Sequence, residues 1–268
     1  MTADRTWQPA IGEAELARLT RDMDEAHRAT LPLMHATGAD LTEELRAAGQ
    51  ADAGRRRFLV GAGGAAAALV LAACSSSKSV TSPAPTSPAS PTPSSPSASG
   101  QYTGDLKVVA LATALENQAV VAYQAALDAA KAGKLGTVPP AVANFITTAQ
   151  SQHADHAKAW NAVLTGAGLP AITGVPLSNQ PDTLAALGKA ASVGDVAKLA
   201  LQLENQAAQT YLFATYNVTS PAGIATAASI APVEAMHAAI LNYVLGQYPV
   251  PDDFLPTDKA ASPALLTV

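Results

Sequence analysis

The sequence predicts an all-α fold, a four-helix bundle of two helical hairpins joined by a long crossover. Residues 115–119, LENQA, recur as residues 203–207, so the chain contains an internal duplication. Each copy places a tyrosine seven residues after its glutamate, at Tyr123 and Tyr211. Seven residues make two helical turns, so the glutamate and the tyrosine of each copy share one helix face. Glycine and proline separate four segments with this helical periodicity.

The first predicted helix runs from about Asp105 to Ala132, with apolar residues stepping by three and four. Residues 133–140 contain two glycines and two prolines, which stop this helix and open the next. The second predicted helix ends near Gly166. These signals predict an antiparallel pair joined by a short turn.

The second hairpin follows a predicted crossover, residues 169–188, that is rich in Pro, Gly, Asn and Ser. The third helix is predicted to begin with Asp195 as its N-cap and to run to Tyr216. The fourth, opened by Pro221, is predicted to end at Gly246. The proline-rich C-terminal tail is expected to pack along the bundle as coil.

Two registers align the second helix of each hairpin. Residues 156–164 match residues 237–245 at His, Ala, Asn, Val and Leu without a gap, which places His153 opposite Glu234. The other register aligns Gln150 with Glu234 but loses the Asn, Val and Leu matches. The first register explains more of the sequence and is preferred.

An export pattern precedes the bundle. Arg55 and Arg56 introduce an uncharged run of mainly Ala, Gly, Leu and Val that ends at Ala73. This pattern resembles a twin-arginine export signal, although Gly54 and Val60 replace the usual flanking residues. The run is shorter than the roughly 20 apolar residues of a membrane span.

The sole cysteine of the chain ends this run. Residues 71–74, LAAC, resemble a bacterial lipoprotein box, which would make Cys74 a lipid-modified N-terminal residue. An unpaired thiol after a signal anchor is the alternative. One cysteine excludes an intramolecular disulfide, so the fold depends on packing and on any bound metal.

These patterns divide the chain into four segments. Residues 1–54 have helical periodicity and are a cytoplasmic leader or an extension upstream of the true start, and residues 55–73 are the signal segment. Residues 74–100 hold the lipobox cysteine and a Ser/Pro/Thr-rich tether, and residues 101–268 form the bundle. In the first segment, His27 and His35 are expected on the surface. From Cys74 onward there are eight lysines, no arginine and eleven acidic residues, which argues against nucleic-acid binding.

Glutamate and histidine are scarce after Cys74, and all of them fall within the predicted helices. A bundle core can bind metal through one Glu from each of two helices and a Glu-x-x-His pair from each of the other two. Residues three apart on a helix lie on one face, about 5–6 Å apart, so both can reach one metal site. The candidate ligands are Glu116, His153, His156, Glu204, Glu234 and His237.

The candidate glutamates interrupt apolar stripes. An ionised carboxylate buried without a partner costs several kcal/mol or becomes protonated. Three such burials favour bound cations. The alternative is that Glu and His satisfy one another through hydrogen bonds in a bundle without metal.

With these elements, residues 105–246 resemble the ferritin-like superfamily, in particular exported bacterial proteins with a ferritin-like domain. The resemblance implies a bundle that binds two irons and reacts with dioxygen or peroxide, as a ferroxidase, an oxygenase or a store. It implies that the six candidates hold the metal and that Tyr123 and Tyr211 support them by hydrogen bonds or as a redox relay. Whether this chain is an enzyme, a ferroxidase-type oxidoreductase, stays open.

His153 departs from the family pattern. Four carboxylates neutralise two divalent ions, whereas three leave such a pair with a net positive charge. Neutral imidazole suits iron, zinc or copper better than magnesium or calcium. Iron is therefore the expected cofactor, in a di-iron or a mononuclear site, with zinc, copper or manganese as alternatives.

The sequence thus predicts an exported, membrane-tethered metal-binding protein on the outer face of the cytoplasmic membrane, a monomer or small homo-oligomer. The alternative is a metal-free helical-bundle lipoprotein with a binding or structural role at the cell surface. A store assembled into a cage is disfavoured, because a lipid and a tether on every subunit would crowd a closed shell.

Overall fold

A computed structural model of the chain describes residues 7–73, 100–251 and 255–268, with the backbone alone for residues 50–73. The element order is α1 (Glu13–Ala73), α2 (Asp105–Lys131), α3 (Pro140–Gly166), α4 (Gln180–Lys189), α5 (Val193–Asn217), α6 (Pro221–Val244) and a 3₁₀ turn (Pro263–Leu265). The predicted lipidation site Cys74, nearly all of the predicted tether and the side chains of Arg55 and Arg56 lie outside this description.

The described residues are helical apart from their connections, and one isolated antiparallel bridge joins Leu177 to Leu266. Helix α2 packs mainly against α3, helix α5 packs mainly against α6, and α2 contacts α5. Gly133 and Gly136 lie between α2 and α3 with φ of 69° and 73°, a left-handed conformation that glycine adopts without strain. The predicted all-α fold of two hairpins and a crossover is confirmed.

The crossover differs from its prediction as coil, because it contains the ten-residue helix α4. Pro181 lies in the first turn, where its missing N–H is not needed. The amide nitrogen of Gln118, on α2, lies 2.9 Å from Oε1 of Gln180 and donates to it. Contact with α2 thus stabilises a helix in a segment whose Pro and Gly residues predicted coil.

The prediction of Asp195 as the N-cap of α5 is wrong. Ser192 is the N-cap, and its hydroxyl accepts a hydrogen bond of 3.1 Å from the backbone N–H of Asp195. Asp195 is the third residue of the helix, and its carboxylate accepts from the Ser192 hydroxyl and from the Ala191 N–H. The pair resembles a capping box, in which the acidic residue supports the cap from within the first turn.

The C-terminal tail packs along the bundle in mainly irregular structure, as expected. The backbone N–H of Lys259 donates to Gln209 Oε1, and that of Ala261 donates to the Thr210 hydroxyl, at 2.7 and 2.8 Å. These bonds fix the tail to α5.

Residues 7–42 pack in one compact unit with residues 100–251 and 255–268, and the described residues 43–73 belong to a second unit. Helix α1 begins at Glu13, and the sequence did not predict the packing of residues 13–42 on the bundle. Its buried side chains recur in steps of three, four or seven residues, at Leu16, Thr20, Met23, His27, Met34, Thr37 and Leu41. The spacing is that of a helix with one apolar face.

Helix α6 is the one element of the described residues that is long and apolar enough to cross a membrane, with a mean hydropathy of 1.5 over its most apolar window. Half of that window is buried inside the domain. The helix also carries Glu234 and His237 towards the interior. A core helix of a bundle meets all of these descriptions.

Candidate metal centre

The six residues predicted as ligands meet in the centre of the bundle, and each is at most 2% exposed. Helix α2 supplies Glu116 and α5 supplies Glu204, from the duplicated LENQA segments. Helices α3 and α6 supply two residues each, at i and i+3, and these are His153, His156, Glu234 and His237. The predicted site residues are therefore all brought together.

The six side chains form two overlapping groups, and the ligand atoms within each lie within 4.8 Å of one another. One group adds Glu116 and His156 to a shared pair, and the other adds Glu204 and His237. The shared pair is His153 and Glu234. Each half of the duplication thus supplies one Glu, one His and one member of the central pair.

This arrangement agrees with the register that places His153 opposite Glu234. Gln150, which the other register aligns with Glu234, lies away from the cluster. Its amide nitrogen donates to the Val120 carbonyl and to Gln124 Oε1, both at 3.1 Å. The histidine of α3 therefore occupies the place of a central carboxylate.

Short contacts join the histidines to the glutamates. Nδ1 of His153 lies 2.7 Å from Glu116 Oε2, and Nε2 of the same ring lies 3.1 Å from Glu204 Oε1. Nδ1 of His237 lies 3.2 Å from Glu204 Oε2. His153 therefore connects the two glutamates that come from the duplicated segments.

The remaining polar atoms test whether the cluster fits a metal ion. Nδ1 of His156 and both carboxylate oxygens of Glu234 are buried and have no hydrogen-bond partner among the described residues. His156 Nδ1 nevertheless lies 2.9 Å from Glu234 Oε1. At this distance the two groups form an ion pair when the ring is protonated, but their alignment is poor for a hydrogen bond, which leaves both atoms available to a shared cation. Because unsatisfied buried polar atoms are costly, a cation bound between them fits this site.

The electrostatics of the metal-free cluster favour mutual charge pairing. Burial alone would raise the pKa of Glu204, but His153 and His237 hold that pKa well below its usual range. Burial opposes charge on His153 as well, yet Glu234 and Glu204 raise its pKa well above the ordinary value. The cluster therefore carries protons that a metal would have to displace.

Two tyrosines support the glutamates from the neighbouring helices. The Tyr211 hydroxyl donates to Glu116, and the Tyr123 hydroxyl donates to Glu204. Burial first, and then the nearby carboxylates, raise the pKa of both phenols well above 10, so they remain protonated donors. Both tyrosines thus lie on the ligand face and contact candidate ligands, and their role as a redox relay stays a prediction.

Trp160 is 3% exposed and donates from its indole nitrogen to the Tyr211 oxygen at 2.8 Å. It thus extends the hydrogen-bonded chain that ends at Glu116. A small cavity of about 20 Å³ borders Glu116, Glu204 and Tyr211 on the α2 and α5 side. That volume holds about one water-sized molecule.

Two residues near the site were underestimated or missed from the sequence. Gln152, which nothing in the sequence marks, is 1% exposed, and its Oε1 lies 2.8 Å from Nε2 of His237. His27 was expected on the surface, and that prediction is wrong: it is 2% exposed, and its ring centre lies 5.2 Å from that of His156. The packing of α1 on the bundle buries it. His35 is exposed, as expected.

Comparison with known proteins gives one significant match. A family model described as a ferritin-like domain matches residues 86–247, more than half of the chain. No curated protein and no solved structure gives a significant match.

Proposed function

This chain belongs to the ferritin-like domain family, and on that premise we propose that it binds iron or another transition metal in the bundle core and oxidises it with dioxygen or peroxide. The observation that carries the proposal is the buried cluster of six Glu and His side chains, whose ligand atoms lie within 4.8 Å of one another in two overlapping groups. Imidazole and carboxylate together suit iron, zinc, copper or manganese.

The protein would hold the metal with the six clustered side chains, as a di-iron or a mononuclear site. A bound redox metal would supply electron transfer to the oxidant. The chain itself would fix the ligands, because Tyr123 and Tyr211 orient the two glutamates and the packed core excludes bulk water. The small cavity beside Glu116 suits a diatomic oxidant better than an organic substrate.

We also propose that the domain is exported and held at the outer face of the cytoplasmic membrane by a lipid on Cys74. The twin-arginine pattern at Arg55 and Arg56 and the lipobox support this placement. The protein would be a monomer or a small homo-oligomer, and light scattering of the purified chain distinguishes this from a cage.

Metal analysis tests the proposed binding. We expect the full chain, loaded with Fe²⁺ without oxygen and desalted, to retain about one or two metals per chain. Glu204→Ala or Glu234→Ala should reduce this content to near background, because each removes a ligand from the centre of the cluster. The matched control is Glu25→Ala, at an exposed glutamate of α1. Admission of oxygen should then oxidise the bound iron, with an absorbance change that the two site variants lack.

Loss of the metal on desalting from a folded wild-type chain would contradict the proposal. So would equal metal contents in wild type, Glu204→Ala and Glu234→Ala. A bound metal that is not oxidised would leave binding intact and remove the proposed reaction.

One observation favours the metal-free alternative, a binding or structural bundle. Both ring nitrogens of His153 already lie within hydrogen-bond distance of a glutamate, so part of the polar core is satisfied without a cation. This function requires a melting temperature that is unaffected by zinc or by a chelator. A metal held at 100 times its dissociation constant would instead stabilise the fold by about 2.7 kcal/mol.

A further inference from the structure

Helix α1 lies along the two helices that supply the histidine ligands. It runs parallel to α3, since Asp24 contacts Gln152 and a Cβ at Gly166 would meet the Thr42 side chain. It runs antiparallel to α6, since the Thr226 hydroxyl donates to the Thr37 hydroxyl at 2.8 Å and a Cβ at Gly223 would meet the Leu41 side chain. The N-terminal segment is therefore in contact with the outer side of the candidate metal centre.

A chain of hydrogen bonds leads from α1 to a ligand. The Asp24 carboxylate pairs with Arg28 at 2.7 Å and accepts a hydrogen bond from Nε2 of Gln152 at 3.3 Å. Oε1 of Gln152 lies 2.8 Å from Nε2 of His237. Nδ1 of His237 faces Glu204 and Glu234, at 3.2 and 3.4 Å.

The polarity of this chain follows from the chemistry of its ends. A carboxylate only accepts hydrogen bonds, so Asp24 draws the NH₂ group of Gln152 towards itself. The amide oxygen must then face His237 and accept from its Nε2–H. With the proton on Nε2, the lone pair of the neutral ring lies on Nδ1, the atom that faces the centre of the site. Hydrogen bonds of this kind fix the tautomer and orientation of metal-binding histidines.

We infer that in the full chain Asp24, acting through Gln152, is a positioning residue that sets the metal-binding tautomer of His237, so that residues 13–42 of α1 belong to the metal centre. The inference rests on the proposed metal binding. It extends the site beyond the four bundle helices to residues 13–42 of α1, which precede the predicted signal segment. His27 adds a second contact, because its buried ring packs edge-on against the ring of His156.

Zinc affinity of the full chain, measured by competition with a chromophoric chelator, tests this inference. Asp24→Ala should weaken zinc binding about 10-fold or more, the usual effect of losing a group that orients a ligand. The matched control is Asp22→Ala, an exposed aspartate of α1 that pairs with Arg18. This control should leave the affinity unchanged.

A double variant that restores zinc affinity separates the effect of hydrogen-bond direction from the effect of packing. Asp24→Asn alone removes the fixed polarity, since its amide can present either a donor or an acceptor to Gln152. Adding Gln152→Glu restores the polarity: the new carboxylate accepts from His237 and also from the asparagine NH₂. The double variant should recover wild-type affinity to within about threefold, and Gln152→Glu alone should not, because two carboxylates would then face each other.

The ring of His237 in the zinc-loaded chain gives a direct readout. Long-range proton–nitrogen NMR correlation should show Nε2–H and a metal-bound Nδ1 in the wild type and in the double variant, and a mixture or loss of this state in Asp24→Ala. Equal zinc affinity and an unchanged His237 tautomer in Asp24→Ala would overturn the inference alone. A wild-type chain that binds no zinc or iron would overturn the proposed function and this inference together.

Discussion

At the scale of single residues, His153 is where the two halves of the duplicated domain differ in chemistry. It occupies the place that Glu234 occupies in the other half, and it bonds to the glutamates of both LENQA segments. An imidazole there removes one negative charge from the site. The cluster is therefore closer to charge balance without metal than a site with four carboxylates would be.

The six clustered residues were predictable because glutamate and histidine are scarce and recur at helical spacing. Gln152 was not predictable as a partner of His237, because neutral amides occur on many helix faces and nothing local marks this one. His27 was misplaced for a related reason. Its own segment shows an amphipathic pattern, but the surface that covers it lies more than 100 residues away in the sequence.

The protonation of His156 gives a prediction about pH. Burial disfavours its charge, but Glu116 and Glu234 outweigh burial and raise its pKa to about 9. A raised pKa in the folded state contributes stability that is complete below the ordinary value of 6.5 and is lost as the pH rises through about 9. The melting temperature of the metal-free chain should therefore fall between pH 6.5 and 9.

Metal reverses this dependence, because it binds the neutral ring and competes with the proton. At a fixed free zinc concentration, the stabilisation by zinc should grow over the same pH range. Differential scanning fluorimetry with and without zinc measures both slopes, and His35→Gln serves as an exposed control. Parallel curves with and without zinc would contradict this coupling.

At the scale of elements, most helix positions followed from periodicity and from glycine and proline signals. Helix α2 begins at Asp105 as expected, and α3 spans the predicted range from Pro140 to Gly166. The errors arose where side chains compete or distant contacts decide. Ser192 and Asp195 both suit a cap, and α4 depends on contact with α2 rather than on its own sequence.

Contact between Trp7 and α5 predicts that Gly194→Ala changes stability in opposite directions with and without Trp7. A Cβ added at Gly194 would lie 2.5 Å from Nε1 of Trp7, closer than packed atoms allow. Gly194→Ala should therefore destabilise the full chain by about 1–3 kcal/mol, as overpacking does. In a Trp7→Ala background the same change should instead stabilise by about 0.5–1 kcal/mol, because alanine favours the helix.

Urea unfolding of the two single variants and the double variant measures this interaction. Gly188→Ala is the matched control, since a Cβ at Gly188 of α4 meets nothing within 4 Å. It should stabilise equally with and without Trp7. Additive effects at Gly194 and Trp7 would show that residue 7 does not pack on α5.

At the scale of the whole molecule, the packing of the N-terminal segment and the proposed export signal place that segment on different sides of a membrane. The structure packs residues 7–42 with residues 100–268, whereas the proposed export signal lies between these two parts of the chain. Export through residues 55–73 would leave residues 13–42 of α1 on the opposite side of the membrane from the bundle. Residues 13–42 would therefore pack beside the metal centre in the full chain and be missing from the exported domain.

Processing can be followed by mass. In the native host, the membrane-bound form should begin at Cys74 and carry a lipid, so peptides from residues 13–42 should be absent from it. Peptide mapping of the membrane and soluble fractions measures this, and Cys74→Ala should abolish the lipidated form. Mature membrane protein that retains the α1 peptides would contradict the lipoprotein proposal.

The hydrogen-bond chain from Asp24 to His237 has a thermodynamic consequence. Coupling between two binding events is reciprocal, so whatever docked α1 adds to metal affinity, bound metal adds to the docking of α1. A tenfold effect corresponds to about 1.4 kcal/mol in each direction. A chain that has already acquired metal would therefore hold its first helix more firmly than an empty one, and empty chains would release that helix more readily.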